Sequence, residues 1–114
     1  MRLAIDGILQ QNGAAAPQLQ YETVGMAGGT VLVKKNGSTI ATLTTDTALT
    51  TITLAAGDTI QMTFSIGASI FTTFIYYYLN GGLTNTYSGT TTITGGVLTA
   101  SAGNVYKFSY QGAA

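Results

Sequence analysis

The sequence predicts an all-β fold: an antiparallel β-sandwich, jelly-roll-like or immunoglobulin-like, with about eight strands and an extended N-terminal arm. Three observations predict it. Short β-branched and aromatic runs alternate with period two, and turn signals rich in Gly and Asn separate them. No segment of useful length carries the helical period of an amphipathic helix.

Residues 1–30 read as the arm or an edge strand, and residues 31–114 as the sandwich. In the arm, Leu3, Ile5, Ile8 and Leu9 are candidate docking side chains. A polar step at residues 10–13 and the only proline, Pro17, follow; then comes a run in which Leu19, Tyr21 and Thr23 share a face. Gly25, Gly28 and Gly29 interrupt that run.

Val31, Leu32 and Val33 lead through Lys34 and Lys35 to Asn36-Gly37, after which Ser38, Thr39 and Ile40 resume an extended pattern. Asn-Gly between two such runs predicts a tight hairpin, because both central residues of a type I′ turn need positive φ. The two lysines read as solvated cations that discourage pairing at an edge. Residues 51–54 alternate, residues 55–58 turn, and residues 59–66 alternate again with Ile60, Met62, Phe64 and Ile66 on the core face. Asp58 is expected to close its turn by accepting nearby backbone N–H groups.

Residues 70–79 form the most informative run. One face carries Ile70, Thr72, Phe74, Tyr76 and Tyr78, and the other Phe71, Thr73, Ile75, Tyr77 and Leu79. Both faces are apolar, so the strand is expected to be covered on both sides, whereas each sheet of a two-layer sandwich has cover for one. Phe71, Phe74, Ile75, Tyr76, Tyr77, Tyr78 and Leu79 are therefore the candidate interface residues, Tyr being suited to interfaces by its large apolar area and polar tip. The remaining turns fall at residues 80–82, 88–89, 95–96 and 101–104, and the last strand places Tyr106, Phe108 and Tyr110 on one face.

Lys34 to Ile40 around the Asn-Gly turn, together with Ile52, Leu54, Gly57, Asp58 and Ile60, resemble the hairpin and the Gly-Asp strand entry of tumour-necrosis-factor-like jelly rolls and of similar β-domains on bacteriophage particles. The resemblance covers residues 34–40 and 52–60. It implies a β-domain that assembles, and fold by itself does not fix function.

Composition narrows the function classes. Of 114 residues, 7% are charged, with four Lys plus Arg against four Asp plus Glu. A nucleic-acid binder needs clustered cations, so nucleic acid is not an expected partner. With 46% hydrophobic residues the chain can build a core, while 15 Gly and 21 Thr replace much of the charge an ordinary surface carries. Such a surface stays wet yet is desolvated at little cost when it meets another neutral surface. The uncharged stretch between Asp58 and Lys107 alternates and contains Gln61, Thr63 and Ser65, so a membrane-spanning helix is not expected.

His and Cys are absent, which excludes serine triads, Cys-His pairs, disulfides and thiolate metal sites. The carboxylates Asp6, Glu22, Asp46 and Asp58 are scattered, and no Asp-x-Asp-x-Asp calcium spacing occurs. Neither an enzyme nor a cofactor is expected. The reading that follows is a non-enzymatic structural protein of a virus particle: a bacteriophage capsid accessory, decoration or short-fibre subunit. Its partners would be copies of itself or capsid proteins. It would be assembled in the host cytoplasm and located in the virion, consistent with an N-terminus that reads without a signal peptide. A carbohydrate- or receptor-binding module using the same tyrosines is the alternative, as is a tail-tube or filament subunit.

Overall fold

The computed structural model describes residues 15–113, which fold into ten strands in two sheets with no helix among the described residues. The strands are β1 (Gln18–Val24), β2 (Thr30–Lys35), β3 (Ser38–Leu43), β4 (Thr47–Thr53), β5 (Thr59–Ser65), β6 (Thr73–Leu79), β7 (Gly82–Gly89), β8 (Thr92–Thr94), β9 (Leu98–Thr99) and β10 (Val105–Gln111). One sheet has the order β4-β1-β10-β6-β7; the other has the order β3-β2-β5-β8, with β9 also paired to β5. The expected all-β sandwich class is thus observed, with ten strands where about eight were expected, β8 and β9 being the shortest. No described helix is long and apolar enough to cross a membrane.

Local sequence chemistry sets the tight turns. Asn36 and Gly37 have φ of 54° and 79°, so the β2–β3 hairpin turns with both central residues in the left-handed region. Asn80 and Gly81 do the same between β6 and β7, at 50° and 86°. Ahead of β5, the Asp58 carboxylate accepts the Ala55 N–H at 2.9 Å and the Asn36 side-chain amide at 3.0 Å. Asn36 in turn accepts the Thr59 N–H at 2.9 Å, which fastens the hairpin tip to the start of β5. The Asn36 bond, followed by the Ala55 amide, holds the Asp58 carboxyl below its usual value.

The inner faces follow the period-two pattern. Leu19, Ile75, Tyr77, Tyr106, Phe108 and Tyr110 from the first sheet meet Val31, Val33, Ile60, Met62, Phe64 and Ile93 from the second, all buried. Aromatic stacking connects them. Tyr77 lies 3.9 Å from Phe108 between ring centroids within its own sheet, and Tyr110 lies 4.5 Å from Phe64 across the layers.

Three expectations change. The segment expected as an arm or edge strand contributes β1, an interior strand between β4 and β10. It pairs parallel with β10, from Gln18 opposite Val105 to Val24 opposite Gln111, because its Leu19–Tyr21–Thr23 face completes the core beside Phe108. Lys34 and Lys35 belong to β2, also interior, so they do not guard an edge. Residues 70–72 are not strand. The Ser69 hydroxyl accepts the Phe71 N–H at 3.1 Å and bends the chain before β6 begins at Thr73. Leu3, Ile5, Ile8 and Leu9 lie outside the described residues.

Candidate functional site

Strand β6 divides the three consecutive tyrosines between two environments. Thr73, Ile75 and Tyr77 point inward and are buried, whereas Phe74, Tyr76 and Tyr78 point outward and are half-buried. Full cover on both sides, as the sequence suggested, is therefore not what the chain provides. The outward rings are partly sheltered, and the rest of their surface is open. Phe74 and Tyr76 have centroids 5.8 Å apart with planes inclined by 19°.

Of the candidate interface residues, Ile75 and Tyr77 are corrected: each is 0% exposed within its own chain and has no surface to offer. Phe74, Tyr76 and Tyr78 form one outward row. Leu79 is 38% exposed at the end of β6, and Phe71 is 57% exposed in the loop before it.

Beside the aromatic row runs a polar chain that the sequence reading missed. Lys107 stands opposite Tyr78, Ser109 opposite Tyr76 and Gln111 opposite Phe74 on β10, and Glu22 stands opposite Ser109 on β1. Gln111 Nε2 donates to Ser109 Oγ at 2.7 Å, and that hydroxyl donates to Glu22 Oε2 at 2.8 Å. Lys107 Nζ lies 3.8 Å from Glu22 Oε2 and 5.0 Å from the Tyr78 ring centroid. The ammonium is thus shared between a carboxylate and an aromatic face. Glu22 and Ser109 are 87 residues apart, so no local pattern marks the pairing.

This face offers stacking area and hydrogen-bonding groups. The described carboxylates are committed to structure. Asp46 accepts the Gly25 and Met26 amides at 3.1 and 2.8 Å, Asp58 closes its turn, and Glu22 holds Ser109 and Lys107. Among the described residues no group of three or more His, Cys, Asp and Glu side chains gathers in a metal-binding arrangement.

A second surface lies at the end of the sandwich where β1, β5 and β10 finish. It is a groove of about 420 Å³ whose lining includes Phe64, Ile66, Ile70, Phe71 and Tyr110. Ile70, on the Ser69 bend, is 89% exposed at its rim. No family model, curated protein or solved structure matches the chain.

Proposed function

We propose that the chain is a non-enzymatic structural subunit of a virus particle, a bacteriophage capsid accessory, decoration or short-fibre protein, that assembles through neutral β surface. The observation that carries this reading is the outward row of Phe74, Tyr76 and Tyr78 on a strand interior to its sheet, between β10 and β7. A half-buried aromatic row flanked by a single, mutually paired Lys107–Glu22 couple carries a large apolar area that favours packing against another protein surface. The sparse charge of the whole chain supports the same reading. Its partners are copies of itself or the shell on which it sits.

Light scattering, with co-sedimentation on bacteriophage capsid shells, tests this. Association that is lost in Tyr76→Ser supports the reading. A stable monomer with no affinity for shells overturns it.

One observation favours a second reading. The Gln111–Ser109–Glu22 chain places donors and acceptors directly beside the rings, the combination that a neutral sugar ring uses when it stacks on an aromatic face. Binding on a glycan array that disappears with Tyr76→Ala would favour this carbohydrate-binding module over the assembly subunit. Tyr77 is unsuitable for that test, since it lies in the core.

A further inference from the structure

We propose that Asn36 and Asn80 are sites of spontaneous deamidation, each restrained by the same clamp built twice into the fold, and that the product forces the clamp open at Asn36 alone. The inference is independent of the assembly reading above.

The two Asn-Gly turns sit in equivalent frames. In one sheet β2 pairs antiparallel with β5, Val31 opposite Phe64 and Val33 opposite Met62; in the other β6 pairs antiparallel with β10, Ile75 opposite Tyr110 and Tyr77 opposite Phe108. The register of each hairpin shifts at the same step, between Val33 and Lys34 on β2 and between Tyr77 and Tyr78 on β6. Asn36 and Asn80 therefore arrive at the same place, beside the turn that opens the neighbouring strand.

There each asparagine is held by three bonds. The Asn36 N–H donates to Thr59 O at 2.8 Å, the Thr59 N–H donates to Asn36 Oδ1 at 2.9 Å, and Asn36 Nδ2 donates to Asp58 Oδ1 at 3.0 Å. The Asn80 N–H donates to Val105 O at 2.8 Å, the Val105 N–H donates to Asn80 Oδ1 at 2.8 Å, and Asn80 Nδ2 donates to Asn104 Oδ1 at 3.1 Å. The geometry is the same at both turns, and one partner differs: a carboxylate at 58, an amide at 104.

Each site also meets the needs of the reaction. Both asparagines are exposed, and a Cβ at Gly37 or Gly81 would meet nothing within 4 Å, so the glycine nitrogen is unshielded. In deamidation that nitrogen attacks the asparagine Cγ. A bond forms between them, the Cγ–Nδ2 bond breaks, and Nδ2 leaves as ammonia with the proton that the glycine nitrogen gives up. Water then opens the cyclic imide to aspartate or isoaspartate. Because Nδ2 must depart and the amide must move to the glycine, the bonds to the clamp oppose the reaction.

The partner decides the consequence. Aspartate at 36 has no hydrogen to give and sets a second carboxylate against Asp58, a like-charge contact where a bond had been. Aspartate at 80 faces a neutral amide. Asn104 can turn its Nδ2 toward the new carboxylate, and the Tyr106 hydroxyl, which accepts that Nδ2 at 3.3 Å, can instead donate to the Oδ1 that replaces it.

Mass spectrometry of peptides from the full chain, aged folded and aged in urea, reads each site; Asn12-Gly13, outside the described residues, is followed as a separate peptide. In urea Asn36 and Asn80 should react alike, and in the folded chain both should react more slowly. Asp58→Ala, once circular dichroism shows it folded, should speed the reaction at Asn36 by about two- to tenfold, the worth of one hydrogen bond, and leave Asn80 unchanged. Asn104→Ala should do the reverse, and it carries the same test if Asp58→Ala does not fold. A folded chain that reacts at Asn36 as fast as the unfolded one overturns the restraint, as does a rate at Asn36 that stays level or falls in Asp58→Ala; a fall would make the carboxylate an aid to the departing ammonia. Thermal melting tests the consequence. Asn36→Asp should lower the midpoint more than Asn80→Asp does, and exchanging the partners should reverse the order: Asp58→Asn should soften the effect of Asn36→Asp, and Asn104→Asp should worsen that of Asn80→Asp. Losses that ignore the partner overturn the asymmetry.

Discussion

Tyr77 in the first sheet and Met62 in the second are joined across the sandwich by a hydrogen bond: the Met62 N–H donates to the Tyr77 hydroxyl at 3.0 Å. The hydroxyl then donates to Gly96 O at 2.8 Å. Met62 falls in a break of its sheet, since β8 pairs with β5 from Thr63 onward and β9 pairs with Thr59 and Ile60. The phenol fills the place of the missing strand partner, and Gln61 Nε2 helps by donating to Gly95 O at 2.8 Å.

Tyr77→Phe keeps the ring stacked on Phe108 and removes only the oxygen. It leaves the Met62 N–H and Gly96 O without partners in a buried setting, a loss of about 1–3 kcal/mol. Urea denaturation should show a lower midpoint at unchanged slope, because the surface exposed on unfolding is the same. A midpoint unchanged within error would mean that water or a shifted strand takes over both bonds.

Gly95→Ala should be costly for a different reason. A Cβ at this position collides with the Tyr77 hydroxyl and lies 2.6 Å from Met62 O, a backbone atom that cannot swing aside. Overpacking of this kind costs about 1–3 kcal/mol. Part of the collision is with the oxygen that Tyr77→Phe deletes, so the double variant should be more stable than the sum of the two losses implies. A double-mutant cycle by thermal melting measures the difference, and strict additivity would show that the Met62 carbonyl and the Tyr77 ring carbon that phenylalanine keeps set the penalty.

These two residues also show which parts of the structure were legible in the sequence. The Asn36-Gly37 hairpin, the Asp58 turn and the buried Ile60–Met62–Phe64 face are encoded by neighbours in sequence, and all were readable. Gly95-Gly96 also read as an ordinary turn, but neither residue has positive φ. What Gly95 needs is the space that Tyr77 occupies from the other sheet, a long-range demand with no local mark. The same applies to the parallel pairing of β1 with β10 and to the Glu22–Ser109 bond. For β6, alternation sorted the side chains into two faces, both apolar, without telling which one turns inward. That choice is settled by Phe108, which sits opposite Tyr77 on β10 and stacks on its ring.

Alkaline pH should weaken the fold. Burial pushes the Tyr77 phenol well above its ordinary value of 10.0, and burial raises Tyr110 as well. Above that ordinary value the unfolded chain releases protons that the native chain keeps, so unfolding is favoured as pH climbs. The contribution is complete below pH 10 and declines from there upward. Tyr106 works against this in part: burial raises it, but bonds from Asn104 and Ser101 hold it below its ordinary value overall. Denaturation midpoints measured from about pH 8 to about pH 11 should fall beyond 10. Tyr77→Phe, although less stable at neutral pH, should fall less steeply. Parallel declines in the two proteins would show that Tyr77 does not carry the pH dependence.

On the outer face, Ser109→Ala should cost more than Lys107→Met. Ser109 is 1% exposed and its hydroxyl serves two partners, Glu22 at 2.8 Å and Gln111 at 2.7 Å. Its removal leaves the Glu22 carboxylate with only the longer Lys107 contact and Gln111 without its acceptor, a loss of about 1.5–3 kcal/mol for a hydrogen bond to a charged group. The Lys107–Glu22 pair is longer, at 3.8 Å, with side chains 34% and 23% exposed, so solvent screens it and its worth is about 0–1 kcal/mol. Methionine at 107 removes the ammonium while keeping a side chain of similar length and apolar stem. Thermal melting of both variants at low and high salt separates the two contributions. The unaltered chain should show a small salt dependence that the Lys107 variant loses, whereas the Ser109 variant should be less stable at every ionic strength. If Lys107→Met proves the more damaging change, the ammonium and the Tyr78 ring, not the buried hydroxyl, hold β10 in place beside the aromatic row.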